Sequence, residues 1–397
     1  MKTFAILGRQ PKIGLAELES LYGAGSMEEF GDTCAFISTE IDYRASLRLG
    51  SVVKVGKIFT MGSYVNWVHI TNQVVDLFKD CSSKKTEGKL TIGLSVYGLR
   101  VSNKDIEKTG LMAKKILKKN GQSIRLVPNK SSALSSAQVL HNKLDGRSGI
   151  EVVVYATGTK YFIGTTTYEQ DIEAYTARDQ ARPKRDAFVG MLPPKLAQTI
   201  INLANGKLTA QKNLSESTLL DPFCGTGVVL QEALLMGYSV VGTDISSKMI
   251  NFSQENIEWL KEKFQRISQS SVDIEKADAT NFSWPQKIDL VAGETYLGSP
   301  ISMMPDPLKL SKLLAETDGL HKKTLQNLSS QLKPGTRLCL AVPAWRINNG
   351  FKHLPTLDQL SEIGYNRIDF KYAKAKELIY IRENQFVGRE LVVLEKN

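Results

Sequence analysis

The C-terminal half of the sequence alternates short apolar segments with amphipathic ones, and this alternation constrains the fold more than any other feature. An apolar strand ends at Asp221, a helical pattern occupies 228–236, and a second strand ends at Asp244. Strands that alternate with helices predict a doubly wound α/β sheet, which binds ligands at the carboxyl ends of its strands. The last two predicted strands, 377–382 and 390–394, have no helix between them. We therefore expect a seven-stranded, mostly parallel sheet with an antiparallel end strand.

A glycine-containing segment lies between the first strand and the first helix of this pattern. Residues 220–227 read Leu-Asp-Pro-Phe-Cys-Gly-Thr-Gly. Gly225 and Gly227 permit a tight turn and let a ligand approach the backbone. A dinucleotide fingerprint would place a third glycine where this chain has Leu230, and Asp221 suits a cationic amino group better than a pyrophosphate. The segment therefore predicts a cofactor site that does not take NAD.

Two further acidic residues follow the next predicted strands. Asp244 closes the second strand, where a carboxylate accepts hydrogen bonds from both hydroxyls of a ribose. Asp278 ends the predicted third strand, from which it would face the edge of an adenine. The candidate cofactor-binding residues are Asp221, Pro222, Phe223, Cys224, Gly225, Gly227, Asp244, Ile245, Asp278 and Ala279.

The positive charge of the chain is concentrated in one stretch. The net charge is +10, and residues 51–168 hold 18 Lys and Arg against 7 Asp and Glu. Such a basic field suits a polyanion such as RNA or DNA, and a solvated lysine-rich surface is the alternative. Tyr175 and Phe188 flank a second basic group and are candidates for stacking on a base. The candidate RNA-binding residues are Lys114, Lys115, Lys118, Lys119, Arg178, Arg182, Lys184 and Arg185.

Length and composition exclude several classes of protein. A chain of 397 residues exceeds one ordinary domain, and 42% hydrophobic with 23% charged residues is typical of a globular protein. No run of 18 apolar residues predicts a membrane span, and the N-terminus lacks the apolar region of a signal peptide. The four cysteines and four histidines are scattered, so we expect no metal site, no disulfide framework and a cytoplasmic location.

The chain divides into four segments of different character. Strand and helix patterns occupy 1–65, and a second α+β pattern occupies 66–168. The stretch 169–194 is charged and aperiodic, which predicts a linker. Residues 195–397 then carry the alternating α/β pattern.

The segment 221–227 resembles the cofactor motif of S-adenosylmethionine-dependent methyltransferases that act on exocyclic amines. Over nearly its full length the chain is similar to the THUMP-domain tRNA guanine-N2 methyltransferases. Segments 4–18, 134–139 and 170–197 carry the rest of that likeness.

This resemblance implies a particular domain order and a particular cofactor. A Rossmann-like methyltransferase domain at 195–397 would bind S-adenosyl-L-methionine. It would follow an N-terminal ferredoxin-like domain at 1–65, a THUMP RNA-binding domain at 66–168 and the linker at 169–194.

The family carries Asp or Asn, two prolines and an aromatic residue after its fourth strand. There the acid and a backbone carbonyl accept hydrogen bonds from the target amine, and the aromatic ring stacks on the base. This chain instead has Glu294, Thr295, Tyr296 and Leu297. The resemblance implies that Glu294 is the acceptor. It puts Leu297 at the aromatic position, and Tyr296 would stack on the base if the loop shifts by one residue. The departure from the family pattern leaves open a loop that has lost catalysis or takes another acceptor.

Three functions are consistent with these features. The first is an S-adenosylmethionine-dependent methyltransferase of the exocyclic N2 of guanosine, with tRNA or another structured RNA as its partner. The second is a DNA amino-methyltransferase, and the third is a non-catalytic RNA-binding protein that retains the methyltransferase fold. No sequence feature indicates a membrane or a partner subunit.

Overall fold

The computed structural model describes residues 2–83, 88–186, 192–207, 214–264, 270–299, 301 and 306–397. Phe188, one of the residues expected to stack on a base, lies outside them. The chain forms two compact units. The N-terminal unit comprises Met1–Pro11, Gly25–Leu47 and Val52–Ala174, and the C-terminal unit comprises Lys12–Ala24, Arg48–Ser51 and Tyr175–Asn397. Within the described residues, no helix combines the length and apolar character needed to cross a bilayer.

Eight strands and five α-helices are formed by the described residues between Thr3 and Glu169. The strands are β1 (Thr3–Leu7), β2 (Met27–Glu29), β3 (Cys34–Ile37), β4 (Val52–Ser63), β5 (Leu90–Tyr97), β6 (Ile124–Leu126), β7 (Gly149–Thr157) and β8 (Lys160–Glu169). The helices are α1 (Pro11–Tyr22), α2 (Tyr43–Leu47), α3 (Trp67–Ser82), α4 (Asn103–Lys119) and α5 (Ser136–His141). The strands form one sheet in the order β2-β3-β1-β4-β8-β7-β5-β6.

This single sheet crosses the domain boundary that the sequence predicted between residues 65 and 66. Strand β4 pairs antiparallel with β8 from Lys54 opposite Glu169 to Ser63 opposite Lys160. Backbone hydrogen bonds therefore join the predicted ferredoxin-like segment to the predicted THUMP segment. The sheet therefore has no break between residues 65 and 66. Strand β4 continues to Ser63 and pairs with a strand that lies more than 90 residues later in the sequence.

The C-terminal unit holds a nine-stranded sheet with helices on both faces. Its strands are β9 (Thr218–Asp221), β10 (Ser239–Asp244), β11 (Val272–Lys276), β12 (Leu290–Glu294), β13 (Arg337–Ile347), β14 (Gly350–Lys352), β15 (Tyr365–Arg367), β16 (Ile379–Tyr380) and β17 (Val387–Lys396). Its longer helices are α7 (Pro194–Asn205), α8 (Val228–Leu235), α9 (Ser247–Lys263) and α10 (Pro307–Gln331), and α11 (Leu360–Ile363) is a single turn. Helix α6 (Ile172–Gln180) precedes them, within the stretch predicted to be an aperiodic linker.

The main path of this sheet runs β11-β10-β9-β12-β13-β17-β15. The five strands from β11 to β13 pair in parallel, as predicted. The antiparallel strand β17 was expected at an end of the sheet but lies between β13 and β15. Its four central residues Leu391, Val392, Val393 and Leu394 are all buried, which suits a strand paired on both sides.

Helix α1 belongs to the C-terminal unit from Lys12 onward, although its sequence lies in the first predicted domain. The buried carboxylate of Glu17 accepts hydrogen bonds from the backbone N–H groups of Gly50 and Ser51, each at 2.9 Å, and from Asn202 Nδ2 at 2.6 Å. Asn202 lies on α7. Segments 12–24 and 48–51 are therefore structural parts of the C-terminal unit, which corrects the predicted limits of 1–65 and 195–397.

Candidate active site

A cavity of about 650 Å³ opens at the carboxyl ends of β9, β10, β11 and β12. Parallel strands place the residues that follow them at one edge of the sheet, where doubly wound folds bind ligands. Nine of the ten residues predicted to bind a cofactor line this one cavity, and Gly227 lies beside it at the start of α8. The cavity-lining residues among the predicted set are Asp221, Pro222, Phe223, Cys224, Gly225, Asp244, Ile245, Asp278 and Ala279.

The glycine-containing loop forms the turn from β9 into α8. Gly225 and Gly227 have φ of +52° and +81°, a region that other residues rarely adopt. A Cβ on Gly227 would lie 2.4 Å from Ser253 Oγ of helix α9, so a side chain there would separate α8 from α9. A Cβ on Gly225 would meet no atom closer than 3.9 Å, which leaves that backbone open to the cavity.

Asp244 and Asp278 are both held in place by backbone N–H groups. Asp244 Oδ1 accepts from Ser246 N at 2.9 Å and Oδ2 accepts from Gly225 N at 3.0 Å. Burial raises the pKa of Asp244, and these two hydrogen bonds oppose the shift. Asp278 Oδ1 accepts from Thr280 N and Oγ1 at 2.9 and 2.7 Å, and these bonds lower the pKa of Asp278. Each carboxylate oxygen has two lone-pair directions, so both side chains retain capacity to accept from a ligand.

Asp221 is the most deeply buried acid of the cavity, at 1% exposure. Its Oδ1 accepts from Phe223 N at 3.1 Å. Burial raises the pKa of Asp221 well above its ordinary value, and the neighbouring charges of Asp244 and Glu294 raise it further. A ligand that brings a positive charge to this end of the cavity would relieve this unfavourable environment.

Glu294 is the last residue of β12, whereas the sequence predicted it in a loop after the strand. It lines the cavity, and its Oε1 accepts a hydrogen bond from Nε of Arg389 on β17. Arg389 is itself buried. Burial raises the pKa of Glu294, and the charge of Arg389 opposes that shift. The carboxylate is therefore already an ion-pair partner before any substrate binds.

Thr295 follows Glu294 and contacts a buried histidine of α10. Thr295 Oγ1 lies 2.5 Å from His321 Nε2, and His321 Nδ1 lies 2.6 Å from the carbonyl oxygen of Thr317. Thr295 lines the cavity and is 4% exposed. The next residue, Tyr296, also lines the cavity and is 49% exposed, so its ring is available to a ligand. Leu297 completes this part of the lining.

Part of the stretch 169–194, which was predicted to be a linker and is called the connector below, lies on the rim of the same cavity. Asn256 of α9 accepts from Lys184 N at 2.9 Å and donates to Lys184 O at 3.0 Å and to Thr226 O at 2.9 Å. Asp186, two residues after Lys184, lines the cavity and pairs with Lys248 Nζ at 2.7 Å. Asn256 thus joins the connector to the glycine-containing loop.

The basic residues of the connector fall into two groups. Arg178 is buried, and its Nε donates to the buried carboxylate of Glu232 at 2.7 Å. Arg182 is 3% exposed, and its guanidinium has no hydrogen-bond partner among the described residues. The burial of Arg178 and Arg182 corrects the expectation that these two side chains contact phosphates of RNA. Arg185 is exposed and Lys184 is half-buried.

The lysine cluster of the N-terminal unit, Lys114, Lys115, Lys118 and Lys119, lies on α4. Lys115, Lys118 and Lys119 are exposed, and Lys114 is half-buried. Ser102 caps the start of this helix by accepting from Asp105 N at 3.2 Å. Two lysines in the last turn suit the negative end of the helix dipole, so they have a local stabilising role whether or not they contact a partner. Among the described residues no group of three or more His, Cys, Asp or Glu is arranged to hold a metal ion.

Four features of the site were missed by the sequence analysis: Arg389, His321, Asn256 and the Asp186–Lys248 pair. Arg389 is 95 residues from Glu294, and His321 is 26 residues from Thr295. No local pattern predicts contacts across such distances. Only Asp186 lies in a segment with a sequence signal. Residues 183–186, Pro-Lys-Arg-Asp, resemble the family's entry into the catalytic domain, but that likeness assigns no role to Asp186.

Two family models match parts of the chain. Residues 213–375 match a model described as a methyltransferase domain, and residues 99–255 match a model described as a DNA methylase. The first match contains most of the cavity lining, from Asp221 to Leu320.

Curated relatives match over a limited part of their length. The chain is 30% identical over 167 residues to the tRNA (guanine(10)-N2)-dimethyltransferase of Methanothermobacter thermautotrophicus, covering 42% of this chain and 43% of that protein. It is 28% identical over 224 residues to the protein of the same name from Methanocaldococcus jannaschii, covering 53% and 58%. The matched part of the chain therefore spans about half the length of these curated relatives.

Two solved structures align with the whole chain. TrmN from Thermus thermophilus has a TM-score of 0.50 at 17% identity and covers 100% of this chain and 99% of its own. SMU.472 complexed with SAH has a TM-score of 0.51 at 11% identity and covers 100% and 97%. At these identities the likeness shows a shared fold.

Proposed function

We propose that this protein is an S-adenosyl-L-methionine-dependent methyltransferase that modifies the exocyclic N2 of a guanosine in tRNA. The observation that carries the proposal is the cavity, where Asp221, Asp244 and Asp278 end or follow three neighbouring strands around an open glycine loop. The names of the relatives from Methanothermobacter and Methanocaldococcus support tRNA guanine as the acceptor.

The residues present fit S-adenosyl-L-methionine in three places. Asp244 offers lone pairs for two ribose hydroxyls, and Asp278 offers an acceptor for the adenine amino group. Asp221, whose pKa is raised by burial, suits the cationic ammonium of the methionine part. The open backbone at Gly225 lets the ligand lie against the loop. When bound, this cofactor supplies a sulfonium methyl group, and the chain's task is to hold the acceptor in line with it.

The acceptor base would enter past Glu294 and Tyr296, which line the same cavity. Tyr296 is half exposed and would stack on the base. Glu294 keeps Oε2 as an acceptor for the target amine, although Oε1 is bonded to Arg389. The ion pair fixes the orientation of the carboxylate and so favours a preorganised acceptor.

RNA binding is assigned to the N-terminal unit and to the exposed part of the connector. We propose that residues 66–168 act as a THUMP-type domain and that strands β1 to β4 support it within the same sheet. Lys115, Lys118 and Lys119 on α4 would contact phosphates, with Lys114 beside them, as would Lys184 and Arg185 in the connector.

Two other functions each have one observation in their favour. The Glu294–Arg389 ion pair favours a non-catalytic RNA-binding protein, because it occupies part of the acid expected to contact the substrate. The match of residues 99–255 to a DNA methylase model favours DNA as the substrate. Both are decided by the same assay as the main proposal.

The experiment compares the wild-type protein with Asp244→Ala. Calorimetry measures the affinity for S-adenosyl-L-methionine, and transfer of a labelled methyl group is measured with total tRNA and with duplex DNA. We expect transfer to tRNA and N2-methylguanosine in the digested product. Asp244→Ala should weaken cofactor affinity by at least ~10-fold, because each hydrogen bond to a charged acceptor contributes about 1.5–3 kcal/mol. Asp273→Ala, an exposed acid on β11, is the matched control and should bind normally.

The outcomes separate the three functions. Cofactor binding without transfer to either nucleic acid would establish the non-catalytic function, and transfer to DNA alone would establish the DNA methyltransferase. Unchanged cofactor affinity in a folded Asp244→Ala protein would refute the assignment of the cavity.

A further inference from the structure

The contact between Thr295 and His321 joins the cavity to a titratable group that the proposed function does not use. Both side chains are 4% exposed, and their hydroxyl and imidazole atoms are 2.5 Å apart. Thr295 follows the last residue of β12, and His321 lies in the middle of α10. A hydroxyl at the cavity wall is thus backed by a ring that solvent does not reach.

The hydrogen bonds assign the tautomer of this histidine. His321 Nδ1 lies 2.6 Å from the carbonyl oxygen of Thr317, and a carbonyl oxygen only accepts, so Nδ1 carries the proton. Nε2 is then the acceptor, and the Thr295 hydroxyl donates its hydrogen to it. The oxygen lone pairs of Thr295 remain free to accept from a group in the cavity. Thr295 Oγ1 also lies 3.2 Å from Ala341 O, a longer alternative acceptor for the same hydrogen.

Burial disfavours the charged form of His321 and lowers its pKa. The bond to Thr317 O and the charge of Asp318, one turn earlier on α10, oppose this shift. His321 lines a small cavity whose lining from other elements is apolar or carries hydroxyls, namely Phe223, Thr295, Leu340, Val342, Leu354, Thr356, Leu357, Val392 and Leu394. The imidazole is therefore neutral at pH 7 and has an acceptor nitrogen directed at Thr295.

We propose that Thr295 and His321 form a proton relay that receives the proton of the acceptor amine during methyl transfer. In this role Thr295 is a catalytic residue that contacts the substrate, and His321 acts through it. The inference rests on the proposed methyltransferase function. It gives the removal of the proton to Thr295, at the first of the two proline positions of the family pattern, and to His321 on α10. Glu294 keeps the role of orienting the amine.

The proton balance of this step is complete within named atoms. The nitrogen–methyl bond would form as the sulfur–methyl bond of the cofactor breaks, with that bond's electron pair left on sulfur. The exocyclic amine then holds one proton more than the neutral product. The N–H bond breaks, its electron pair stays on the nitrogen, and the proton passes to Thr295 Oγ1. The Thr295 O–H proton passes at the same time to His321 Nε2, which becomes an imidazolium. After the product leaves, the proton returns through Thr295 to water in the opened cavity.

A weak base is sufficient for this role. A methylated exocyclic amine that still carries its extra proton is a far stronger acid than an imidazolium, so transfer to a buried histidine is downhill. The cost of the charged ring is limited by Asp318, whose charge favours the protonated form.

The test measures kcat and KM for the full chain with S-adenosyl-L-methionine and tRNA. Thr295→Val keeps the shape and removes the hydroxyl, and His321→Gln keeps an acceptor and removes the basic nitrogen. We expect each to lower kcat by ~10²-fold or more, with the KM of cofactor and of tRNA changed little, because positioned proton acceptors contribute about 10²–10⁴ in rate. Thr295→Ser should restore most of the lost rate.

Thr324→Val is the matched control. Thr324 is a buried threonine one turn after His321, and its hydroxyl has no hydrogen-bond partner among the described residues. Removing that hydroxyl perturbs the same part of α10 without touching the relay, so kcat should stay within about twofold of wild type. Melting temperatures of all variants show whether each is folded.

The pH profile separates a relay from a structural contact. His321 must be neutral to accept, so wild-type kcat should fall as pH drops through its pKa, which lies below the ordinary value near 6.5. The His321→Gln protein should lack this acidic limb. A folded Thr295→Val or His321→Gln protein with the kcat of wild type would overturn the relay alone. Absence of methyl transfer to tRNA by the wild-type protein would overturn the proposed function and the relay with it.

Discussion

Asp221 is an ionisable side chain in a place where its charge is unfavourable until a ligand arrives. Its carboxyl is 1% exposed, and burial, Asp244 and Glu294 all raise its pKa. The unfolded chain ionises the same group near pH 4. The folded state therefore binds the proton over a range in which the unfolded state has lost it. The stability of the ligand-free protein must then fall as pH rises from about 4 through the raised pKa.

Asp221→Asn removes this titration and keeps an oxygen that can accept from Phe223 N. We expect the ligand-free variant to melt above wild type at pH 7, by about 2–4 °C for each kcal/mol gained. The difference should vanish near pH 4, and cofactor affinity should drop because an amide does not pair with an ammonium. Calorimetric melting between pH 4 and 8 measures both effects, with Asp369→Asn as the exposed control. Parallel melting curves across this range would show that Asp221 does not titrate as described.

The sequence indicated single residues best where the pattern was local. Asp221 and Asp244 end strands, Asp278 follows one, and all three line the cavity. The sequence predicted that Glu294 lies at the carboxyl edge of the sheet, but its partner Arg389 is 95 residues away on β17. Which oxygen of a carboxylate is already bonded depends on tertiary packing, so the sequence did not predict it.

Among single helices and strands, too, those with a local sequence pattern could be predicted and those fixed by distant contacts could not. Strand β5 lies at 90–97, where apolar residues alternate along the sequence, and α7 begins at Pro194, a residue type common in the first turn of a helix. Helix α6 was missed because residues 172–180 are polar and lack an apolar stripe. Its buried residues are Tyr175 and Arg178, and Arg178 forms an ion pair with Glu232 of α8. A helix fixed by an ion pair to a distant element has no hydrophobic period to detect.

Helix α9 fixes the connector through one side chain. Asn256 is fully buried and makes three hydrogen bonds to the backbone of Lys184 and Thr226. We expect Asn256→Ala to lower the free energy of unfolding by about 1–3 kcal/mol, because buried backbone groups lose their partner. It should also raise the KM for S-adenosyl-L-methionine more than it lowers kcat, because Asp186 then leaves the rim of the cavity.

Denaturant unfolding and steady-state kinetics measure these two effects. Gln254→Ala is an exposed substitution on the same helix and should stay within about 0.5 kcal/mol of wild type. A destabilised Asn256→Ala protein with an unchanged KM would show that the connector does not shape the cofactor site.

For the whole molecule, the charge asymmetry makes a quantitative prediction about salt. Residues 51–168 carry a net charge of +11, and Lys115, Lys118 and Lys119 are exposed on α4. Affinity for tRNA should fall steeply between about 50 and 200 mM salt, because each neutralised phosphate releases counterions. Replacing these three lysines by alanine should make the slope of log K against log salt less steep by about 0.7–0.9 for each phosphate that the variant no longer neutralises.

Filter binding across that salt range gives the slopes. The control replaces Lys352, Lys371 and Lys374, which are three exposed lysines of the C-terminal unit. Equal slopes for wild type and the α4 variant would mean that this helix face does not bind RNA.

The division of the whole chain was the least predictable feature. Composition separated the basic stretch from the rest, and periodicity located the α/β region. Neither indicated that Glu17 accepts from Asn202 or that β4 pairs with β8, because both contacts join segments far apart in sequence.

The place of helix α1 has a consequence during synthesis on the ribosome. Glu17 and Asn202 are 185 residues apart, and Ile13 and Ala16 pack in a core built mainly from residues after Leu192. At 5–20 residues per second, the apolar face of α1 waits about 10–40 s for its partners to be translated. During that interval the apolar face of α1 stays exposed on the nascent chain, so this helix does not reach its native contacts until most of the second half exists.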